Sequence, residues 1–360
     1  MAPAARKPRI CVYAISKNEE QFVERFCRSA DDADLTLIAD TGSADKTAEK
    51  ARLCGATVFS ITISPWRFDH ARNAALALVP PDMDICVSLD LDEVLEPGWR
   101  EEIERAWKPE TTRLRYLYDW GNGVRYKYEK IHARNGYYFW HPCHEYPRPD
   151  GRIKEVWAET DALLVRHLPD PTKSRSQYLE LLELSVKEDP LCPRNAFYYG
   201  RELFFAHEWL AATDALRRYL RMPAAIWAAE RSYAMRLLLQ CYEELNGMQE
   251  AESWGLRACS EDPNARDPWV ALAKFYYRRE RWADCYTAAM RALSVKTRAL
   301  VYSSDPEAWG ALPHDLAAIS AWRLGLSDEA IRHGKTAIEI DPNDERLKNN
   351  LEWFEGKRTG

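Results

Sequence analysis

The sequence is short of several features that would classify it quickly. It has no C-x-x-C pair. Its nine cysteines, Cys11, Cys27, Cys54, Cys86, Cys143, Cys192, Cys241, Cys259 and Cys285, stand singly, which removes zinc ribbons and thioredoxin-like redox motifs. An odd, scattered set reads as the thiols of a reduced, cytosolic chain. No apolar run reaches the roughly 18 residues of a membrane span, and the opening "MAPAARKPRICVYAI" has no signal-peptide core. We therefore expect a cytoplasmic protein with no membrane span. A basic excess is missing too: the net charge is -6 and the pI about 5.9, so no global field draws the chain to nucleic acid.

What is present divides into two grammars. The 360 residues are 46% hydrophobic and 29% charged, ordinary for soluble protein and enough for two cores. In the first half, apolar β-branched runs alternate with helical spacings: "RICVYAIS", then "KNEEQFVERFCRSA"; "LTLIAD", then "TAEKARLCG"; "ATVFSITI", then "DHARNAALALV"; and last "DICVSLDLD". This order predicts an open, mostly parallel α/β sheet of Rossmann-like type. Ligands of such sheets bind beyond the carboxyl ends of the strands, near the point where strand order reverses. The strand-end residues are Ser16 to Glu19, Asp40 to Asp45 and Asp90 to Glu93, all polar or acidic. Their coincidence points to one site. The aromatic, His-rich stretch from Gly121 to Arg166 reads as strands and loops laid over the sheet's edge.

From about Ser174 the pattern is helical and repeats. "EAESWGLRACSEDP" spaces Ala251, Ala258 and Pro263 by seven and five, and "EAIRHGKTAIEIDP" does the same with Ala330, Ala337 and Pro342. Cys285 and Ala292 stand 34 residues after Ala251 and Ala258. A looser copy holds Gly200, Trp209 and Ala212, and "TRALVYSSDPEAWGALP" interrupts the series. This resembles the tetratricopeptide repeat, in which small residues let paired helices approach and large ones fill the gaps. The expected domains are residues 1–172 and an all-α repeat domain at 173–360. Trp209, Trp227, Trp254, Trp269, Trp282, Trp309 and Trp322 read as core filling. The concave face of such repeats would suit a polymeric or peptide acceptor.

Four motifs of the first half resemble family 2 glycosyltransferases of the GT-A fold. "DTGSADKT" is similar to their Asp-x-Gly-Ser-x-Asp-x-Thr stretch, "SLDLDE" to their Asp-x-Asp motif, "FDHARNAAL" to their Ala-Arg-Asn helix, and "WHPCHE" to a His-Glu motif of members with C-terminal tetratricopeptide repeats. The resemblance covers essentially the whole chain. It implies a nucleotide-sugar donor, expected to be a UDP-sugar, and a divalent Mn²⁺ or Mg²⁺. The metal ligands would be Asp90, Asp92 and His167, and the donor would meet Ser16, Glu19, Asp40, Arg72, Asp90 and His144.

In that reading Asp40 accepts a hydrogen bond from the base, as an ionised carboxylate can. Arg72 pairs with Asp40 or the diphosphate, and Glu145 is the base of an inverting transfer. Asp90 and Asp92 flank Leu91 and should share one face of an extended segment, while Asp45 caps the next helix. Asn73 is a positional candidate, and Trp140 and His141 would shape a sugar or acceptor pocket. The implied acceptor is a peptide or protein side chain, with hydroxylated DNA bases or a saccharide as alternatives. The rival class is an inactive transferase fold whose repeats serve as a binding adaptor.

Overall fold

The computed structural model describes residues 6–170 and 177–356. Two compact units divide the chain, residues 1–185 and 186–360, so the division falls inside helix α5 (Gln177–Glu188) rather than at residue 172.

The first unit begins as the alternation predicts. Strand β1 (Ile10–Ser16), helix α1 (Val23–Ser29), β2 (Leu35–Asp40), α2 (Thr47–Leu53), β3 (Thr57–Ser60), α3 (Phe68–Leu78) and β4 (Ile85–Leu89) follow one another. β1 pairs in parallel with β2 and β4, and β2 with β3. β1 and β4 are buried along their whole length, which explains their unbroken apolar runs. After β4 come β5 (Glu93–Leu95), α4 (Trp99–Ala106), β6 (Arg113–Gly121), β7 (Val124–Ala133), β8 (Tyr137–Trp140), β9 (Tyr146–Pro149) and β10 (Trp157–His167). The sheet order is β3-β2-β1-β4-β7-β6-β10-β5, with β8 and β9 a separate hairpin.

Three sequence expectations need correction. The sheet is mixed, because β7 runs antiparallel beside β4 and β6, and β5 antiparallel beside β10. The 121–166 stretch does not lie over the edge: β7 and β10 continue the sheet past β4, and they bury Ile131, Leu163 and Val165 in the same core as Val12 and Val87. Finally, "SLDLDE" is not one extended strand. β4 stops at Leu89, Asp90 to Asp92 turn, and β5 resumes at the far edge of the sheet. The Glu93 N–H donates to the Asp90 carbonyl at 3.0 Å, and the Asp90 N–H donates to Glu93 Oε2 at 2.9 Å. This turn is what separates the two aspartates.

The second unit is built of helices: α6 (Pro193–Phe205) with α7 (Trp209–Arg221), α8 (Ala228–Glu244) with α9 (Met248–Glu261), α10 (Asp267–Tyr277) with α11 (Trp282–Ser294), α12 (Leu312–Arg323) with α13 (Ser327–Ile340), and α14 (Glu345–Phe354) last. The small repeat positions sit where helices touch. A Cβ on Gly255 would meet Leu239 at 2.7 Å and Leu272 at 2.9 Å, and Ala251, Ala258, Ala330 and Ala337 are wholly buried. The seven tryptophans fill the core only in part: six are half-buried, with Trp254, Trp269, Trp309 and Trp322 packed against the buried clusters, and Trp227 is 45% exposed. Alanine and glycine occupy the closest approach, leaving indoles at the rim, where Arg257, Arg266 and Arg323 stack on Trp254, Trp309 and Trp282.

Candidate active site

Strand order reverses between β1 and β4, since β2 and β3 lie to one side of β1 and β4 to the other. The crevice at the carboxyl ends of these strands is where open α/β sheets take ligands. Ser16 ends β1, Asp40 ends β2, and Asp90 follows β4.

Two loops are stitched together here. The Ser16 hydroxyl donates to Asp40 Oδ1 at 3.1 Å. Asp40 Oδ2 accepts the N–H groups of Gly42 and Ser43 at 3.2 and 3.0 Å, and Ser43 Oγ donates to Oδ1 at 2.5 Å. Asn18 accepts the Ala44 N–H at 2.8 Å, and the Glu19 N–H donates to Thr47 Oγ1 at 2.8 Å. Asp45 accepts the Thr47 N–H at 3.0 Å at the start of α2. These bonds hold its carboxyl below the usual range against the opposing cost of burial. Asp40 thus spends three contacts on its own turn and one on Ser16. Of the two expected partners of Arg72, Asp40 and the diphosphate, Asp40 is not bonded to it among the described residues.

Arg72, on α3 and buried, instead clamps the other side of the crevice. Its Nε donates to Glu145 Oε1 and its terminal nitrogen to Asp90 Oδ1, and Ser88 Oγ lies 3.3 Å from the guanidinium. Lys130 Nζ stands 3.3 Å from Asp90 Oδ2 and 4.0 Å from Glu93 Oε1. Burial opposes ionisation of Asp90, but Arg72 and Lys130 outweigh it and hold the carboxyl well below the carboxylate range. Burial also works against the Lys130 charge, and Asp90 and Glu93 restore it. Glu93 is the counterexample: burial pushes its carboxyl up, and the Tyr118 hydroxyl donates to it at 2.6 Å. Asp90 is therefore held by both Arg72 and Lys130.

Asp92 faces His167. The antiparallel pairing of β5 with β10 sets His167 opposite Glu93, and the Leu168 N–H donates to the Asp92 carbonyl at 2.8 Å. His167 Nε2 lies 3.4 Å from Asp92 Oδ2, and its Nδ1 is buried without a hydrogen-bond partner. That separation is long for a hydrogen bond and near the spacing of about 3 Å between two ligands of one octahedral ion. A hard cation with few protein ligands fits this pair. Among the described residues, Asp90, Asp92 and His167 do not gather into one three-ligand cluster.

Glu145 is 8% exposed. It sits in a loop whose flanking His141 and His144 both adopt positive φ, 84° and 53°. Such backbone in a non-glycine residue costs about 1–3 kcal/mol and concentrates at functional sites. The loop is fixed from below: the Phe68 N–H donates to the Pro142 carbonyl at 3.0 Å, and Asn73 bonds both ways to the Phe139 backbone at 2.9 and 2.7 Å. The His144 ring packs on Tyr178, 5.9 Å between centroids. One Glu145 oxygen is anchored by Arg72; the other accepts no hydrogen bond among the described residues.

Lys130 and Trp120 were not singled out by the sequence, and Glu93 only as part of the acidic strand end. Trp120 stacks on His167 at 4.2 Å and is 48% exposed. Lys130 reaches Asp90 through a bulge: Tyr128 pairs with Tyr116 but Ile131 with Leu114, so β7 carries one residue more than β6 there. The extra residue turns Lys130 inward, as bulges near active sites do.

No protein-family model matches the chain, and no curated protein does. Solved structures to which it is similar include MamA, at 17% identity over 47% of this chain and 89% of that one, with a TM-score of 0.38. Another is YrrB, described as a TPR protein with an unusual peptide-binding site, at 15% identity over 50% and 84%, with a TM-score of 0.39. A third is glucosyl-3-phosphoglycerate synthase from Mycobacterium tuberculosis, in complex with Mn²⁺, UDP and phosphoglyceric acid. There the identity is 23% over 31% of this chain and 43% of that one, with a TM-score of 0.27. All three scores lie below 0.5.

Proposed function

We propose that the first unit is a GT-A-type, metal-dependent glycosyltransferase that moves a sugar from a nucleotide-sugar, a UDP-sugar by the motif resemblance, to an acceptor nucleophile. One observation carries the reading. Just past the carboxyl end of β4, Arg72 ties Asp90 to Glu145, and two residues further on Asp92 lies 3.4 Å from His167. A solvated strand end has no need of two buried cations and five acids.

The nucleotide lies against the turn that Asp40 builds. Ser16 and Glu19 border it, and the Ser43 hydroxyl is the donor that the base displaces from Asp40. Asp92 and His167 would hold Mn²⁺ or Mg²⁺, ions that need few protein ligands. When bound, that ion supplies Lewis-acid stabilisation of the charge developing on the leaving diphosphate. Asp90 keeps Arg72 and Lys130 in place rather than ligating. Glu145 receives the acceptor's proton on its free oxygen, while Arg72 fixes the carboxylate's orientation. Trp120 keeps the His167 ring in register.

The test is thermal shift with UDP-, GDP- and TDP-sugars, each with and without Mn²⁺, on the native chain and on Asp92→Asn. Binding stabilises the fold according to concentration over Kd. The native chain should shift with one donor only when metal is present. The variant should melt as the native chain does without ligand and lose the metal-dependent part. Equal shifts in both proteins would remove Asp92 from the metal site.

A further inference from the structure

The connection from α11 to α12, residues 295–311, is far longer than the roughly two to eight residues usual between packed helices. It has no regular structure apart from one short 3₁₀ turn, Pro306–Trp309. Nor is it a surface excursion: Ser303 and Ser304 are 6% and 8% exposed, and Ala308 is wholly buried.

The segment runs across the first helices of three successive pairs and is gripped at each. Tyr302 packs among Phe197 and Tyr198 of α6 and Trp227, at centroid distances of 6.3, 6.2 and 5.4 Å. Its hydroxyl donates to Glu230 of α8. Arg236 of α8 donates to the Ser303 carbonyl at 2.6 Å. The Asp305 N–H donates to Asp267 of α10, and Lys274 of α10 reaches Glu307 at 2.8 Å.

Three features of this contact are those of peptide recognition rather than of core packing. An aromatic side chain enters a pocket, main-chain groups are read by charged side chains, and an acid is met by a lysine on the rim. Glu230, Arg236 and Asp267 are 8%, 6% and 7% exposed. Buried charges of this kind are tolerated only when hydrogen-bonded, and here part of that bonding comes from the segment. The helices alone would leave these groups facing an open groove.

We infer that residues 301–307 are a tethered ligand occupying a peptide-binding groove formed by α6, α8 and α10, and that the groove accepts a polypeptide of the same chemistry: a tyrosine, an extended main chain read by Arg236 and Asp267, and a following acidic residue. The segment and a partner peptide compete for one surface. This does not rest on the transferase reading.

The test uses the full chain with residues 299–308 replaced by a glycine-serine linker of equal length, and a fluorescent peptide of residues 297–309. Anisotropy should show saturable binding to the replaced chain and none to the native chain at the same micromolar concentrations. Peptide carrying Tyr302→Ala should bind at least tenfold more weakly, and so should native peptide to a replaced chain bearing Arg236→Ala. A replaced chain that folds, by circular dichroism and a cooperative melt, yet binds no peptide would overturn the proposal. A second variant covers failure of the replacement to fold. Tyr302→Ala in the otherwise native chain should raise hydrogen exchange within residues 299–308 and leave the melting of the helices within a few degrees. If that single change instead unfolds the helical unit, the segment is a structural strut and the proposal falls.

Discussion

Arg72 is the side chain on which the candidate site depends most. It is buried, and its two carboxylate partners come from different parts of the chain, Asp90 after β4 and Glu145 in the loop before β9. Arg72→Met should cost about 3 kcal/mol, because it strands a buried Glu145 and leaves Asp90 to Lys130 alone. Equilibrium urea unfolding measures it; a loss under about 1 kcal/mol would mean that the clamp is not a source of stability. Arg72→Lys should recover little, since an ammonium cannot meet two carboxylates with a planar fork. The residues of this site were legible in the sequence, because Asp, Arg and Glu at strand ends are conspicuous. Their pairing was not. Arg72 was expected on Asp40 or the diphosphate, and the turn at Asp90 and the strained His141–His144 loop bring it to Asp90 and Glu145. Lys130 was hidden for a related reason, since a bulge leaves no mark in hydrophobic alternation.

Among the elements, the repeated helices were the most readable part of the chain, since a spacing that recurs after 34 residues signals itself. Their contacts give a graded prediction. Gly255→Leu forces a branched side chain into space that Leu239 and Leu272 already fill to within 2.7 and 2.9 Å of a bare Cβ. Overpacking of that kind costs roughly 1–3 kcal/mol or more. Gly334→Ala brings a Cβ only to 3.3 Å from Leu351 and 3.4 Å from Phe354, near the end of the array, and should be almost neutral. Comparing the two melting temperatures checks this ranking, and equal losses would contradict it. Strand elements were legible as strands but not as neighbours. β5 and β10 are adjacent in the sheet although a long stretch of chain separates them, so the closeness of Asp92 to His167 could come only from the resemblance.

For the whole molecule, each unit holds an imidazole whose pKa is pushed down, His132 fully buried and His314 half-buried. Burial pushes His132 of the first unit down to about 4, and burial followed by the neighbouring His333 does the same to His314 of the second. The Ala133 carbonyl 2.9 Å from Nδ1 and the Tyr13 hydroxyl 3.1 Å from Nε2 suit the neutral His132 ring. A folded pKa depressed below the unfolded value of about 6.5 means that the unfolded chain binds the extra protons. This contribution to stability is complete above about pH 6.5 and drains away as pH falls towards 4. Calorimetry at pH 7, 5.5 and 4.5 should show both units melting progressively lower, and His132→Gln should flatten the dependence of the first alone. A melting temperature constant across that range would contradict the burial of both rings.

The strap across α6, α8 and α10 has a consequence of its own, in the arithmetic of local concentration. A segment tethered through a few residues meets its groove at an effective concentration on the order of millimolar. A free peptide of equal affinity half-displaces it only when it too approaches millimolar. The groove therefore disregards dilute peptides and opens to one that binds far more tightly or is itself held alongside.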